Sequence, residues 1–230
     1  MRENQTSYRQ IMKATSLFGG VQVFNIIISI IRSKVIALLL GPGGMGIIGL
    51  LTSSIGVISN LTNFGLGTSA VKDISVAYST EDIQRISLTV RVFQRLVWIT
   101  GILGTLVTII LSSYLSQLSF GDDSYSFAFV WLSVTLLFNQ LSSGQLVLLQ
   151  GMRKLQYLAK ASLFGSVLGL LVTIPLYFFY GIDGIVPGII GTSIITFLLS
   201  WFYSKKIEIL PIKVSKEETI KEGRSMLEMG

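Results

Sequence analysis

The sequence predicts an all-α integral membrane protein, and three observations carry that prediction. Half of the 230 residues are hydrophobic, only 13% are charged, and the mean hydropathy is +0.68, well outside the range of soluble globular domains. Several apolar segments reach the ~20 residues that a helix needs to cross ~30 Å of hydrocarbon. They are continuous apolar runs, whereas a membrane β-barrel has ~10-residue segments of alternating polarity. We predict six transmembrane helices, at about 14–40, 44–70, 92–115, 125–150, 157–180 and 184–204.

The residue types that are missing exclude much enzyme chemistry. The chain has no Cys and no His, which excludes disulfide frameworks, Cys/His metal sites and catalysis based on either residue. It also contains neither a P-loop nor a dinucleotide-binding fingerprint. The net charge of +6 does not indicate nucleic-acid binding, because the basic residues lie at the ends of apolar spans. We therefore expect a protein that is not an enzyme and has no catalytic residue, metal or cofactor.

The distribution of basic residues predicts the orientation of the spans. Lys and Arg collect on the cytoplasmic side of membrane proteins. The connections around Gly43, Asp122-Asp123 and Asp183 contain neither residue, and the basic residues fall in the alternate connections and at both ends. Both termini are therefore predicted to be cytoplasmic. Residues 205–230, which mix charged and apolar residues, are expected to form a cytoplasmic amphipathic connector.

Two short motifs predict helix ends. Gly41-Pro42-Gly43-Gly44 is expected to end the first helix sharply and to start the second, because Gly permits left-handed backbone and Pro cannot continue a helix. Ser79-Thr80-Glu81-Asp82 is typical of a helix start, with a hydroxyl cap followed by acids in the first turn. The third helix is therefore expected to begin on the cytoplasmic side, before its apolar span.

Arg32 and Lys34 are two cations inside the first apolar span. If that helix runs over residues 14–40, Arg32 lies about 7.5 Å beyond the midplane, at about 1.5 Å rise per residue. A charge at hydrocarbon depth costs roughly 2.5–3.5 kcal/mol on insertion scales, so such residues usually face a bundle interior or a watery cavity. Arg32 is alternatively an interhelical hydrogen-bond partner or a residue that snorkels to the outer headgroups. Lys34 is about 200° away around the helix, and a role in the site and a purely structural role are equally compatible with its position.

Polar residues at helical spacing extend the candidate site. Gln22, Asn25 and Ser29 share one helix face with Arg32. Small and polar residues also recur along one face of each later span, including Ser162, Ser166, Gly169 and Thr173 in the fifth, and helix packing explains most of them. For three amides, packing and cavity lining are equally compatible with the pattern: Asn63, Asn139 and Gln145.

The run RSKVIALLLGPGGMG at residues 32–46 resembles the signature between the first and second helices of the bacterial polysaccharide transporter family. The order of six spans, the charged connection between the second and third, and GMRKLQYLAK at residues 151–160 are also similar. These proteins are O-antigen and related repeat-unit flippases of the multidrug/oligosaccharidyl-lipid/polysaccharide exporter superfamily. The chain departs from many relatives at Leu38, where they have a basic residue, and at Met45, where they have an aromatic one.

The resemblance implies one six-helix lobe of a two-lobe flippase in the bacterial inner membrane. Residues 222–230, EGRSMLEMG, are similar to the entry into a seventh helix, so we expect the N-terminal half of a longer protein. The implied substrate is a polyprenyl-pyrophosphate-linked oligosaccharide, an O-antigen, capsule or exopolysaccharide repeat unit moved to the outer leaflet by alternating access. Expected partners are that lipid-linked sugar, the bilayer, a second lobe and other glycan-assembly membrane proteins, and no nucleic acid.

The cations independently suit that substrate, since Arg offers a bidentate fork to phosphate oxygens in a low-dielectric cavity. The amides and hydroxyls near Arg32 suit sugar hydroxyls. The alternatives are a lipid II or drug exporter of the same superfamily, an integral-membrane glycan polymerase or glycosyltransferase, and an assembly protein that does not transport. The spans contain no carboxylate or His, which disfavours an enzyme, and a pure assembly protein would tolerate replacement of Arg32 by Leu.

Overall fold

A computed structural model describes residues 2–207, 209–210, 219 and 223, with side chains from residue 19 onward. Within these residues the protein is entirely helical, which confirms the predicted all-α class. Most of the predicted connector at 205–230, including EGRSMLEMG apart from Gly223, lies outside the described residues. The helices are α1 (Arg2–Asn63), α2 (Leu66–Ser79), α3 (Ile83–Ile110), α4 (Ser112–Phe120), α5 (Ser126–Gly151), α6 (Leu155–Tyr180) and α7 (Ile185–Ser204).

Four stretches of the described chain are long and apolar enough to cross a membrane: Gly19–Asn63, Ile83–Ile110, Ser126–Gly151 and Leu155–Ser204. The first has 45 residues and the last has 50, each about twice the ~20 residues of a single crossing. A backbone break interrupts both of these long stretches.

The break in α1 is at Gly41, where φ is 65° and ψ is −172°. A positive φ of this kind suits glycine, which has no Cβ, and Pro42 follows directly. The helix end predicted at Gly41-Pro42-Gly43-Gly44 is therefore confirmed. It divides the apolar part of α1 into a first arm, residues 19–40, and a second arm, residues 42–63.

The two arms run in opposite directions, as their contacts with other helices establish. The first arm is parallel to α6, because Asn25 bonds Ser162 and Arg32 lies at Gly169. The second arm runs antiparallel to the chain of α3 and α4, because Ser54 bonds Ser119 of α4 whereas Thr62 lies at Gly104 of α3. Contacts between the later helices show that α3 and α6 point the same way, with α5 and α7 opposed to both. The α3–α5 pairs are Gly101 with Leu137 and Val97 with Gly144, and the α5–α7 pairs are Phe138 with Phe197 and Ser142 with Ser200. The α6–α7 pairs are Gly169 with Thr192 and Tyr177 with Gly188.

The break in the last stretch is a 3₁₀ turn, Gly181–Gly184, between α6 and α7. Gly181 has a φ of 55°. A side chain on Gly184 would collide with the carbonyl of Leu176, so the start of α7 packs directly on the backbone of α6. The described part of the bundle therefore consists of six long helical segments that alternate in direction.

Two clusters of buried side chains hold the segments together. One lies toward the ends of α2, α3 and α5 that are near residues 74, 90 and 149, and includes Phe93 and Leu149. The other lies toward the opposite end of the bundle and includes Leu51, Phe129 and Ile185.

The chain between the second arm and α3 differs in detail from the sequence-based expectation. The second arm ends at Asn63, and positive φ angles at Phe64 and Gly65 precede α2. The start of α3 is capped by the carboxylate of Asp82, which accepts from the backbone N–H groups of Gln84 and Arg85 at 2.9 and 3.3 Å. The predicted helix start is thus confirmed, but the expected hydroxyl cap is wrong. The hydroxyls of Ser79 and Thr80 donate instead to carbonyls of α2.

Candidate functional site

Arg32 extends from the first arm of α1 into a cavity lined by α1, α5, α6 and α7. The cavity has a volume of about 160 Å³, and besides Arg32 it is lined mainly by small and hydroxyl side chains: Leu146, Ala161, Ser162, Gly165, Ser166, Thr192, Thr196 and Ser200. The side chain is partly buried, and its Nε atom is buried without a hydrogen-bond partner in the described part of the chain. The guanidinium therefore lies in a polar recess inside the bundle.

Glycine makes room for the guanidinium on α6. A Cβ built on Gly169 would lie 3.1 Å from Nη2 of Arg32 and 2.9 Å from Cγ2 of Thr192. Gly165, one turn earlier on the same face, would bring a Cβ to 3.7 Å from Oγ1 of Thr196. These glycines allow α6 to approach both α1 and α7 closely, as small residues do in membrane helix pairs.

Asn25, about two helical turns before Arg32, attaches the first arm to α6. Its Nδ2 donates to Oγ of Ser162 and its Oδ1 accepts from Oγ of Ser166, each at 2.9 Å. Both polar atoms of the amide are thus paired in the bundle. The predicted polar face of the fifth span, Ser162, Ser166 and Gly169, is the face that meets α1, and packing accounts for its contacts with Asn25.

Arg32 meets α6 near the middle of that helix. Gly169 is about 2 Å along the axis from the middle of α6, at about 1.5 Å rise per residue, and α6 continues for about 16 Å beyond it. The guanidinium is therefore held beside the middle of α6 and points into the bundle.

The other predicted residues of the first arm do not enter this cavity. Gln22, Ser29 and Lys34 are all exposed on the described chain. Arg32 and Lys34 therefore present their charges on different sides of α1, as the spacing of two residues predicts. Lys34 has an exposed ammonium at a level just beyond that of Arg32.

The three amides predicted in the later spans, Asn63, Asn139 and Gln145, lie in different surroundings. Nε2 of Gln140 donates to Oδ1 of Asn63 and to Oγ1 of Thr100, each at 2.9 Å. This network joins the second arm, α3 and α5, so Asn63 has a structural partner. Asn139 is exposed, and Gln145 is partly buried with an Oε1 atom that accepts no hydrogen bond in the described part of the chain.

The comparison with protein families decides the assignment. The family model described as polysaccharide biosynthesis protein matches residues 11–228, nearly the whole chain. The chain belongs to this family. Comparison with curated proteins and with solved structures found no significant match in either.

Membership of the polysaccharide biosynthesis protein family confirms the resemblance carried by residues 32–46. Together with its apolar helices, it makes the chain a multi-pass membrane protein with a role in polysaccharide synthesis or export.

One wall of the cavity, formed by α7, was not among the residues predicted from the sequence. Thr192, Thr196 and Ser200 follow each other at intervals of four residues on α7, so they share one helix face that borders the Arg32 cavity. The spacing is visible in the sequence, but the hydroxyls stand among apolar residues in the last span. Only the contact between α6 and α7 reveals that this face meets Arg32.

Proposed function

We propose that this chain is the N-terminal lobe of a flippase for polyprenyl-pyrophosphate-linked oligosaccharides in the bacterial inner membrane. In this proposal six segments cross the bilayer with both termini in the cytoplasm. A second lobe of the same protein completes a central cavity that opens to each side in turn. Family membership and the alternating direction of the helical segments support the proposal.

The observation that carries it is the guanidinium of Arg32 at mid-depth in the bundle. No Asp or Glu occurs in the first or second arm, α3, α5, α6 or α7, so these segments contain cations but no carboxylate. A pyrophosphate that crosses a bilayer needs such compensating charge, and Arg can offer two parallel N–H donors to phosphate oxygens. Arg32 is the proposed phosphate-binding residue, and Lys34 is a second cation at the lobe surface.

The size of the cavity limits what Arg32 can hold. At about 160 Å³ it is smaller than the roughly 300–1,000 Å³ of pockets that enclose drug-sized ligands. It has room for one phosphate group but not for an oligosaccharide. We therefore assign the sugars to the exposed polar residues of the lobe, Gln22, Ser29 and Asn139, on the side that faces the second lobe in the assembled protein. Asn25, Asn63 and Gln145 are partly buried between the helices, and we do not assign them to the sugars.

The test is glycan display and lipid flipping by the full-length protein. We expect Arg32→Ala to lower the flipping rate at least roughly ten-fold, because hydrogen bonds to a charged group contribute ~1.5–3 kcal/mol. Arg32→Lys restores part of the rate, since it keeps the charge and loses the fork. Lys160→Ala is the matched control, because it removes an exposed cation from the end of α6.

The measurements are surface polysaccharide in cells, normalised to protein level, and transbilayer movement of the lipid-linked sugar in proteoliposomes. Normal rates for Arg32→Ala in both would refute the assignment of Arg32. Sugar transfer by the purified protein, without any movement of lipid-linked sugar, would favour a glycosyltransferase or polymerase instead.

A further inference from the structure

The Arg32 cavity contains a charge that the described protein does not neutralise. Nε is buried with no acceptor, and the surrounding helices carry no carboxylate. The Arg32 side chain is partly buried, and burying a charge costs free energy because desolvation removes water that stabilised it. A hydrogen-bond acceptor bound in the cavity beside Nε would offset part of that cost.

The walls of the cavity are suited to an anion. The hydroxyls of Thr192 and Thr196 donate to carbonyls four residues earlier on α7, at 2.9 Å each, and Ser200 donates to the carbonyl of Phe197 at 2.9 Å. Those carbonyls already serve the helix, so such back-bonds are weak and hydroxyls can rotate away from them. A hydroxyl that donates to an anion makes a charge-assisted bond, roughly twice as strong as a neutral one.

The volume sets the size of the ligand. About 160 Å³ accommodates a small ion with a few waters, since one water occupies about 30 Å³ in the liquid. We infer that the cavity binds a small inorganic anion, with chloride as the abundant candidate, between Arg32 on α1 and the hydroxyls of α6 and α7. This anion is the counter-ion of Arg32 when no substrate phosphate occupies the cavity.

The site also joins the first arm to the last two helices. Ser162 and Ser166 already hold α1 through Asn25, and the anion extends this junction by one turn toward Thr192 on α7. Bound anion should therefore stabilise the packing of α1 on α6 and α7. Its effect is measurable on the protein alone, without glycan or transport.

The experiment measures thermal unfolding of purified full-length protein in sodium chloride and in sodium gluconate at equal ionic strength. Chloride should raise Tm by roughly 2–4 °C between about 1 and about 300 mM, and the rise should follow the logarithm of the concentration as for ligand binding. Gluconate, which is too large for the cavity, should leave Tm unchanged. Arg32→Gln should abolish the chloride effect, and Lys160→Gln should retain it.

A second measurement does not depend on the stability of the variant. Crystals of wild-type protein grown in bromide should contain an anomalous scattering peak between Arg32 and Thr192, and Thr192→Val should weaken it. Equal stabilisation by gluconate, an unchanged chloride effect in Arg32→Gln, or an empty cavity in bromide would each overturn the inference. Failure of glycan flipping would not, because neither measurement uses the substrate.

Discussion

The guanidinium of Arg32 on α1 lies against the backbone of Gly169 on α6, where a Cβ would be only 3.1 Å from Nη2. The same Cβ would lie 2.9 Å from Cγ2 of Thr192, so α1, α6 and α7 meet at this one glycine. Any side chain at residue 169 must therefore displace either the charge or the stiff, β-branched threonine.

Gly169→Ala should destabilise the protein and reduce flipping together. We expect a loss of about 1–3 kcal/mol in the free energy of unfolding, which is the usual cost of overpacking, measured as a lower Tm of the full-length protein. Adding Thr192→Ser should restore part of the loss, because it removes the Cγ2 methyl group and keeps the hydroxyl. Gly56→Ala is the control, since a Cβ there meets nothing within 4 Å. Equal Tm changes at the two glycines would contradict this account.

Asn25→Ala should loosen the attachment of the first arm. It removes the bonds to Ser162 and Ser166, and interhelical hydrogen bonds in membranes contribute ~0.6 kcal/mol on average, so the expected cost is about 1 kcal/mol. Gln22→Ala, an exposed amide one turn earlier, should leave stability almost unchanged. The measurement is unfolding in detergent. A larger loss in Gln22→Ala would show that α1 packs differently.

The six-crossing topology predicts opposite exposure of two turns. In this Cys-free chain, Ser124→Cys should react with a membrane-impermeant maleimide from outside the cell, and Lys154→Cys should react only after the membrane is permeabilised. The reason is that basic residues remain in the cytoplasm, whereas the turn around Asp122 has none. Labelling of Ser124→Cys only from the cytoplasmic side would reverse the orientation.

Asp122 should titrate below the ordinary range of an aspartate. The side chain of Ser124 and, next, its backbone N–H donate to Oδ1 of Asp122, and these bonds lower the pKa of the carboxyl. A depressed pKa in the folded state means that the stabilisation is present above the unfolded pKa of about 3.9, and is lost as the pH falls through the folded pKa. Carbon-13 NMR of labelled aspartate measures the titration.

Ser124→Ala should move the pKa of Asp122 back toward the ordinary value. Ser126→Ala is the matched control, because the Ser126 hydroxyl donates to Asp123 and not to Asp122. An unchanged Asp122 titration in Ser124→Ala would exclude these hydrogen bonds as the cause.

Local backbone chemistry explains why parts of the fold could be predicted from sequence. The break at Gly41 depends on residues that are adjacent in the chain, and so does the helix start at Asp82. The sequence also placed Arg32 on a polar helix face with Asn25, and placed Lys34 elsewhere. What could not be predicted depends on distant contacts: which helix faces Arg32, its close approach to Gly169, and the pairing of Asn63 with Gln140. These contacts join residues separated by 77 or more positions, and no local pattern encodes them.

The reversal at Gly41 also has a consequence for how the protein enters the membrane during synthesis. The second arm contains no charged residue, and the stretch formed by the two arms includes an 18-residue window with a mean hydropathy of 2.1. If the two arms insert together as a helical hairpin, the apolar residues of both arms offset the free-energy cost of inserting Arg32 and Lys34, which is roughly 2.5–3.5 kcal/mol for each charge. The partners of Arg32 on α6 and α7 are translated more than a hundred residues later. Until α6 and α7 have left the ribosome, the cavity around the Arg32 guanidinium cannot form. The last two helices therefore complete the surroundings of a charge that enters the membrane with the first two.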